Sequence, residues 1–237
     1  MRLPAPQFTL AQRSHEVEVM DAPGLSPLEY RRCLRELAQV NRLTLTHRPV
    51  LRWLEQLIPV GRPVVILDVA FGQGDLLRAI AHWAKERGVE VSLHGIDLNP
   101  RSAPIAREAT RPELNITYQT GDVFTFVPER PPDLIVSSQF THHLEDGEVT
   151  RFVRWLEQHA RLGWFLTDLE RSSLAYRAFP WLCAVAGWHD IVRYDGQVSI
   201  ARSFRRGEWE QLVSGAGVQA RVRRTFPFRL SITNRGT

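Results

Sequence analysis

The chain has 237 residues, 43% of them hydrophobic, and a formal net charge of +4 at neutral pH. That much apolar material fills one good core, so a single domain with an N-terminal extension is expected. No run of 18 uninterrupted apolar residues occurs, and the opening MRLPAPQFTL lacks the apolar centre of a signal peptide, so neither a membrane span nor a leader is expected. Cys33 and Cys183 stand alone, without disulfide or zinc spacing, and a reducing cytoplasm is the simple expectation. The basic residues are almost all arginine, with Lys85 the only lysine, and they form no long run. They read as a solvated surface rather than a nucleic-acid face.

Residues 1–25 are irregular, with prolines at 4, 6 and 23. The stretch 26–42 opens on Ser26-Pro27, an N-cap followed by a proline at the first helical position, and Leu28, Leu34, Leu37 and Val40 give it an apolar stripe. A second helix is expected over 47–58, ending before Pro59 and Gly61. Residues 1–60 are therefore read as a helical cover over a ligand site, or as a plain packing pair.

The most informative stretch follows, PVVILDVAFGQGDLLRAI. Val64 to Leu67 form a strand apolar on both faces, Asp68 ends it, Gly72 and Gly74 allow a sharp turn, and Leu76, Leu77, Ile80 and Ala81 repeat with helical period. Strand, glycine turn and helix N-terminus together form a nucleotide cradle, because free backbone N–H groups face the ligand there. A second strand ends at Asp97, 23 residues after Gly74, at the interval suited to an acid that binds ribose hydroxyls. A third, over 116–119, leads into Gly121-Asp122-Val123, where Asp122 sits at a strand edge within reach of an adenine amino group.

A dinucleotide motif needs a small residue at its third glycine position and a pyrophosphate at the helix start. Here Asp75-Leu76-Leu77 follow Gly74, a bulky residue and an acid that repels phosphate but tolerates a sulfonium. The three edges together resemble the class I S-adenosylmethionine-dependent methyltransferases, closely over 62–168 and more loosely on the flanks. The family's D/E-x-G-x-G-x-G motif reads here Asp68-Val69-Ala70-Phe71-Gly72-Gln73-Gly74, with Ala70 at the first glycine, a small departure tolerated where that position has negative φ. The resemblance implies an α/β, Rossmann-like, doubly wound, seven-stranded, mostly parallel sheet with an antiparallel last strand. It also implies S-adenosylmethionine as cofactor, with Asp68, Ala70, Gly72 and Gly74 along its methionine part, Asp97 and Leu98 at the ribose, Asp122 and Val123 at the adenine, and Ser138 on the next strand edge.

The rest of the chain alternates as such a sheet requires: a strand over 133–137, a helix over 146–161, a strand over 162–167 ending at Asp168, a helix over 208–214, and a strand pair over 218–232 broken near Pro227. After the fourth strand comes Phe140-Thr141-His142-His143-Leu144-Glu145-Asp146. An imidazole there suits removal of a proton from an attacking hydroxyl. The stretch resembles the His-Asp-Trp-Ser-Asp segment of plant phenolic O-methyltransferases, which puts His142 in the role of base with His143 beside it. The other reading is that such a loop histidine only orients the loop as a structural hydrogen-bonder, a description that fits His143; with two histidines, one of each role is also open. No metal site is expected, because no clustered acids beside these histidines complete a ligand set.

Residues 170–203 are read as a substrate lid, with Tyr176, Phe179, Trp181 and Trp188 either lining an apolar acceptor pocket or simply forming core. This segment also resembles lids of bacterial polyketide, phenolic-lipid and quinone methyltransferases, through Asp168, Leu169 and Arg171 and a later Ser199-x-x-Arg202. The leading expectation is methyl transfer to a small-molecule hydroxyl, with no nucleic-acid partner. A nucleic-acid methyltransferase lacks support, since Ser137-Ser138-Gln139-Phe140 stands where a base N-methylating enzyme carries an Asn/Asp-Pro-Pro-Tyr stretch. A non-catalytic cofactor-binding partner protein is the third reading. The acceptor, its methylated atom and the oligomeric state stay open.

Overall fold

Five strands run parallel and bring their carboxyl ends to one edge: β1 (Val64–Val69), β2 (Val91–Asp97), β3 (Ile116–Thr120), β4 (Leu134–Ser138) and β5 (Gly163–Leu169). A closing hairpin, β6 (Arg221–Thr225) and β7 (Arg229–Thr233), adds the one strand antiparallel to them, giving the sheet order β3-β2-β1-β4-β5-β7-β6. The expected seven-stranded architecture is the one observed. These features come from a computed structural model, which describes residues 6, 8–58, 61–128 and 130–236.

Strand order reverses between β1 and β4, which splits their carboxyl ends and leaves a crevice above them. Register sets what reaches that crevice: Asp97 pairs with Thr120, and Ser138 with Thr167. Helices α2 (Arg48–Leu57), α3 (Asp75–Arg87) and α4 (Ser102–Ala109) cover one face of the sheet, around a core that includes Trp53, Ile66, Leu77, Ile80 and Phe165. Helices α5 (Asp146–His159) and α8 (Arg206–Ala216) cover the other, around Phe152, Trp164, Leu166 and Trp209. Both sides are apolar, as the strand sequences require.

A third, smaller core joins α1 (Pro27–Leu43) to α6 (Ser173–Ala186) and α7 (Asp190–Arg202) through Tyr30, Cys33, Leu34, Cys183, Ile191 and Val192. Ser26 caps α1 as its sequence predicts, its hydroxyl accepting from Glu29 N at 3.2 Å. No described helix is long and apolar enough to cross a membrane.

Candidate active site

The turn after β1 is built from backbone conformations that few residues adopt. Ala70 has φ 61°, Gly72 φ 55° and Gly74 φ 75°. The expected negative φ at Ala70 is therefore corrected: the alanine is held in the left-handed region, its N–H donating to Ile96 O at 2.8 Å. Gly72 opens on the crevice. Gly74 does not; a Cβ there would overlap the Tyr118 ring, so this glycine serves helix packing rather than ligand approach. Gly95 on β2 likewise leaves the room that the Phe71 ring fills.

Asp68 lies beneath this turn, 1% exposed, with neither carboxylate oxygen hydrogen-bonded. Burial, then the neighbouring charges of Asp75 and Asp97, push its pKa well above 3.8. At the start of α3, Asp75 accepts from Asn41 Nδ2 at 2.9 Å and lies 2.9 Å from His47 Nε2. Burial alone would raise its pKa, but His47 and Asn41 outweigh that and hold it low. The helix start is thus filled by the protein's own anion, leaving no place for a pyrophosphate.

Asp97 is held by two backbone donors, Gly72 N at 2.9 Å on Oδ2 and Asn99 N at 2.8 Å on Oδ1. Each oxygen keeps a lone pair for a ligand hydroxyl. Asp122 accepts from Phe124 N at 2.9 Å, which fixes the loop after β3. Asp68, Ala70, Gly72, Asp97, Leu98, Asp122, Val123 and Ser138 all line one cleft of about 1060 Å³. Its opposite wall is the segment from Glu18 to Leu25 with α1 residues Tyr30, Leu34 and Leu37, whereas α2, expected in the same cover, packs on the sheet face. Arg101 ties that wall down, donating to Leu25 O at 3.2 Å and Met20 O at 3.4 Å and stacking 4.0 Å over Tyr30.

The two histidines lie in a short 3₁₀ turn, Thr141–His143, and take different positions. His142 is 2% exposed and does not reach the cleft. Its Nδ1 lies 2.7 Å from Asp168 Oδ1 and its Nε2 3.4 Å from Glu18 Oε1. Burial would lower its pKa, but Asp168 and Glu18 push it up to about 10. An imidazole enclosed by two carboxylates and kept off the cleft meets no acceptor hydroxyl there, so the role of base expected for it does not suit this setting. His143 does line the cleft, with Nδ1 3.2 Å from Asp21 Oδ2. Glu18 is buried too, yet the two histidines hold its carboxyl down to about 2, and it accepts from Ser199 Oγ at 2.7 Å.

The Ser199-x-x-Arg202 pattern also converges here. Arg202 donates to the carbonyls of His142 at 3.1 Å and His143 at 3.0 Å, and Arg13 adds a bond of 3.0 Å to His142 O. Four expected acceptor contacts are not brought to the cleft. Tyr176 donates to Pro6 O, Phe179 fills the space beside Gly196, Trp188 is buried against α1 with Nε1 donating to Gln39, and Trp181 faces solvent at 76% exposure. The core reading fits Trp188, which belongs to the third core, and Phe179, which packs against it. Sequence reasoning missed Glu18, Asp21 and Tyr30, which lie in or near an aperiodic stretch far from the strand motifs.

A family model described as a methyltransferase domain matches residues 66–163. No curated protein matches the sequence. Among solved structures, the chain is similar to the plantazolicin methyltransferase BpumL in complex with a pentazolic desmethylPZN analog and SAH (TM-score 0.62, 14% identity, 86% of this chain and 90% of that one). It is also similar to a SAM-dependent methyltransferase from Aquifex aeolicus (0.61, 16%, 88% and 97%) and to human N-acetylserotonin methyltransferase in complex with SAM (0.59, 19%, 88% of this chain and 56% of that one). At these identities the likeness is one of fold. Residues 66–163 thus match a methyltransferase domain, and the chain shares the Rossmann-like sheet of these solved structures.

Proposed function

We propose that this protein transfers a methyl group from S-adenosylmethionine to a hydroxyl of a small-molecule acceptor. One observation carries the reading: a buried carboxylate without partners, Asp68, and a second with spare lone pairs, Asp97, face a single cleft beneath a glycine turn. An unpaired buried carboxylate is costly unless a cationic ligand completes it, and the amino group of the cofactor's methionine part supplies that cation. Asp97 receives the ribose hydroxyls, and Leu98, Asp122 and Val123 frame the adenine. The two solved neighbours in complex with SAM or SAH support this choice of cofactor.

When bound, the cofactor supplies an electrophilic methyl on sulfur; the chain's work is to bind, orient and exclude water. The cleft, at about 1060 Å³, lies at the upper end of small-molecule pockets and holds an acceptor as well as a cofactor. The acceptor's walls are Met20, Leu25, Leu37 and Phe140 rather than the lid aromatics, with Glu18 and His143 as the polar wall that meets its hydroxyl. The nearby Asp21 keeps His143 oriented.

Calorimetric titration with S-adenosylhomocysteine, beside the same titration with NADH, tests the cofactor. Binding of the first alone is expected, and a screen of phenols and quinols as acceptors follows from it. Binding of NADH, or of neither, would overturn the reading.

A further inference from the structure

Glu18, His142 and His143 present three ligand atoms within 4.8 Å of one another at the edge of the cleft. The Nε2 atoms of both imidazoles point at the same carboxylate oxygen, His142 at 3.4 Å and His143 at 3.8 Å. Tetrahedral ligands about 2.1 Å from a metal stand roughly 3.4 Å apart, so these spacings leave room for an ion with little rearrangement. Each ring also has its other nitrogen against an acid: His142 Nδ1 beside Asp168 at 2.7 Å and His143 Nδ1 beside Asp21 at 3.2 Å. A carboxylate behind each imidazole is the arrangement that fixes a metal-binding histidine's tautomer and aim.

The backbone is braced to match. Arg202 and Arg13 hold the carbonyls of the histidine turn, Asp168 accepts from His142 N at 2.9 Å, and Ser199 holds Glu18. None of these bonds uses an imidazole Nε2. Three carboxylates around two histidines make the spot electronegative, which favours a divalent cation.

We infer that Glu18, His142 and His143 form a binding site for one first-row divalent transition ion, such as Zn²⁺, Co²⁺ or Mn²⁺. Two imidazoles and one carboxylate favour these ions over Mg²⁺ or Ca²⁺, which take mainly oxygen ligands. Glu18 and His143 line the cleft, so the ion's remaining positions face the acceptor. There it acts as a Lewis acid that lowers the pKa of the acceptor hydroxyl. The hydroxyl's proton passes to water, leaving an anionic oxygen beside the cation as the nucleophile, with no change of oxidation state. In this role His143 is a ligand rather than a base. The assignment of the ion's task rests on the methyl-transfer reading; the ion site itself does not.

Titration of chelator-stripped protein with Co²⁺ tests the site, followed by visible d–d absorption. Uptake of one equivalent is expected, with displacement by Zn²⁺. Glu18→Gln should abolish uptake. Asp21→Asn alters a half-exposed side chain that a folded protein tolerates, and should weaken uptake about 10- to 100-fold by releasing His143. A titration with S-adenosylhomocysteine on the same samples reports on the cofactor half of the cleft. Protein that binds S-adenosylhomocysteine but takes up no Co²⁺, or whose uptake is unchanged in both variants, would overturn the metal site. Co²⁺ uptake without S-adenosylhomocysteine binding would instead defeat the methyl-donor reading and leave the ion site standing.

Discussion

At Asp68 a carboxyl group lies buried with neither oxygen bonded, and its pKa is pushed well above 3.8 by burial and by Asp75 and Asp97. A carboxyl whose folded-state pKa exceeds its unfolded value loses stability for the fold as pH rises past the unfolded value, because only the unfolded chain ionises freely there. Asp68→Asn should therefore raise the melting temperature of the ligand-free protein at about pH 8, by a stabilisation on the order of 1–3 kcal/mol, and the gain should vanish below about pH 4. The same variant should bind S-adenosylhomocysteine at least tenfold more weakly, which calorimetry at about pH 8 would measure. Wild-type stability that rises between about pH 4 and pH 8 relative to the variant would contradict this account. Ala70 offers a second test one turn later. An L-residue at φ 61° is strained where glycine is not, so Ala70→Gly should stabilise the fold by about 1 kcal/mol and leave the cleft lining intact. Thermal melts of the two proteins check it. The residue type at position 70 was legible in the sequence, but the sign of its φ was not, because that sign is set by the Ile96 carbonyl on a neighbouring strand.

The elements differ in how plainly the chain announces them, for physical reasons. The strands around the cleft carry apolar runs that lead to Asp68, one residue before the end of β1, to Asp97 and to Ser138, so their existence follows from pattern, with ends off by a residue. Helix α7 does not. Residues on every side of it are buried, including Asp195, Gln197, Ser199 and Arg202, so it has no amphipathic stripe to read. Those polar residues are buried because they serve other elements: Asp195 accepts from Val19 N and Met20 N at 2.8 and 2.9 Å, Ser199 holds Glu18, and Arg202 clamps the histidine turn. Residues 170–203 therefore scaffold Glu18 and the histidine turn rather than wall the cleft, which is why their aromatics point elsewhere. Arg202→Ala should leave the carbonyls of Glu16 and His143 without their donor, and that of His142 with Arg13 alone. A loss on the order of 3 kcal/mol is expected in denaturant unfolding. Arg202→Lys should recover less than half of it, since one ammonium cannot reproduce a planar fork. Full recovery by lysine would show that charge alone, not geometry, holds the turn.

Across the whole molecule, the cleft is closed by parts of the chain far apart in sequence. Asp68 and Asp97 stand on the sheet and Asp122 on the loop after β3, while Glu18, Leu25, Tyr30 and Leu34 face them from the N-terminal segment and α1. The third core ties that cover to α6 and α7 but shares few apolar residues with the two cores on the sheet. A ligand lying between sheet and cover therefore adds contacts that only the complete fold can make. Binding to the folded state alone stabilises it by about 2.7 kcal/mol at a hundredfold excess over Kd. For a chain of this length each kcal/mol moves the melting temperature about 2–4 °C, so S-adenosylhomocysteine should raise it by about 5–11 °C in a single transition. Scanning calorimetry with and without the ligand measures this. A shift of the expected size with one transition means that cover and sheet unfold together around the cofactor. Two transitions, with only the upper one moved, would mean that the N-terminal cover melts first and that the cofactor is held by the sheet edge alone. No shift, at concentrations where NADH is also silent, would favour a protein that has kept the fold and lost the cofactor.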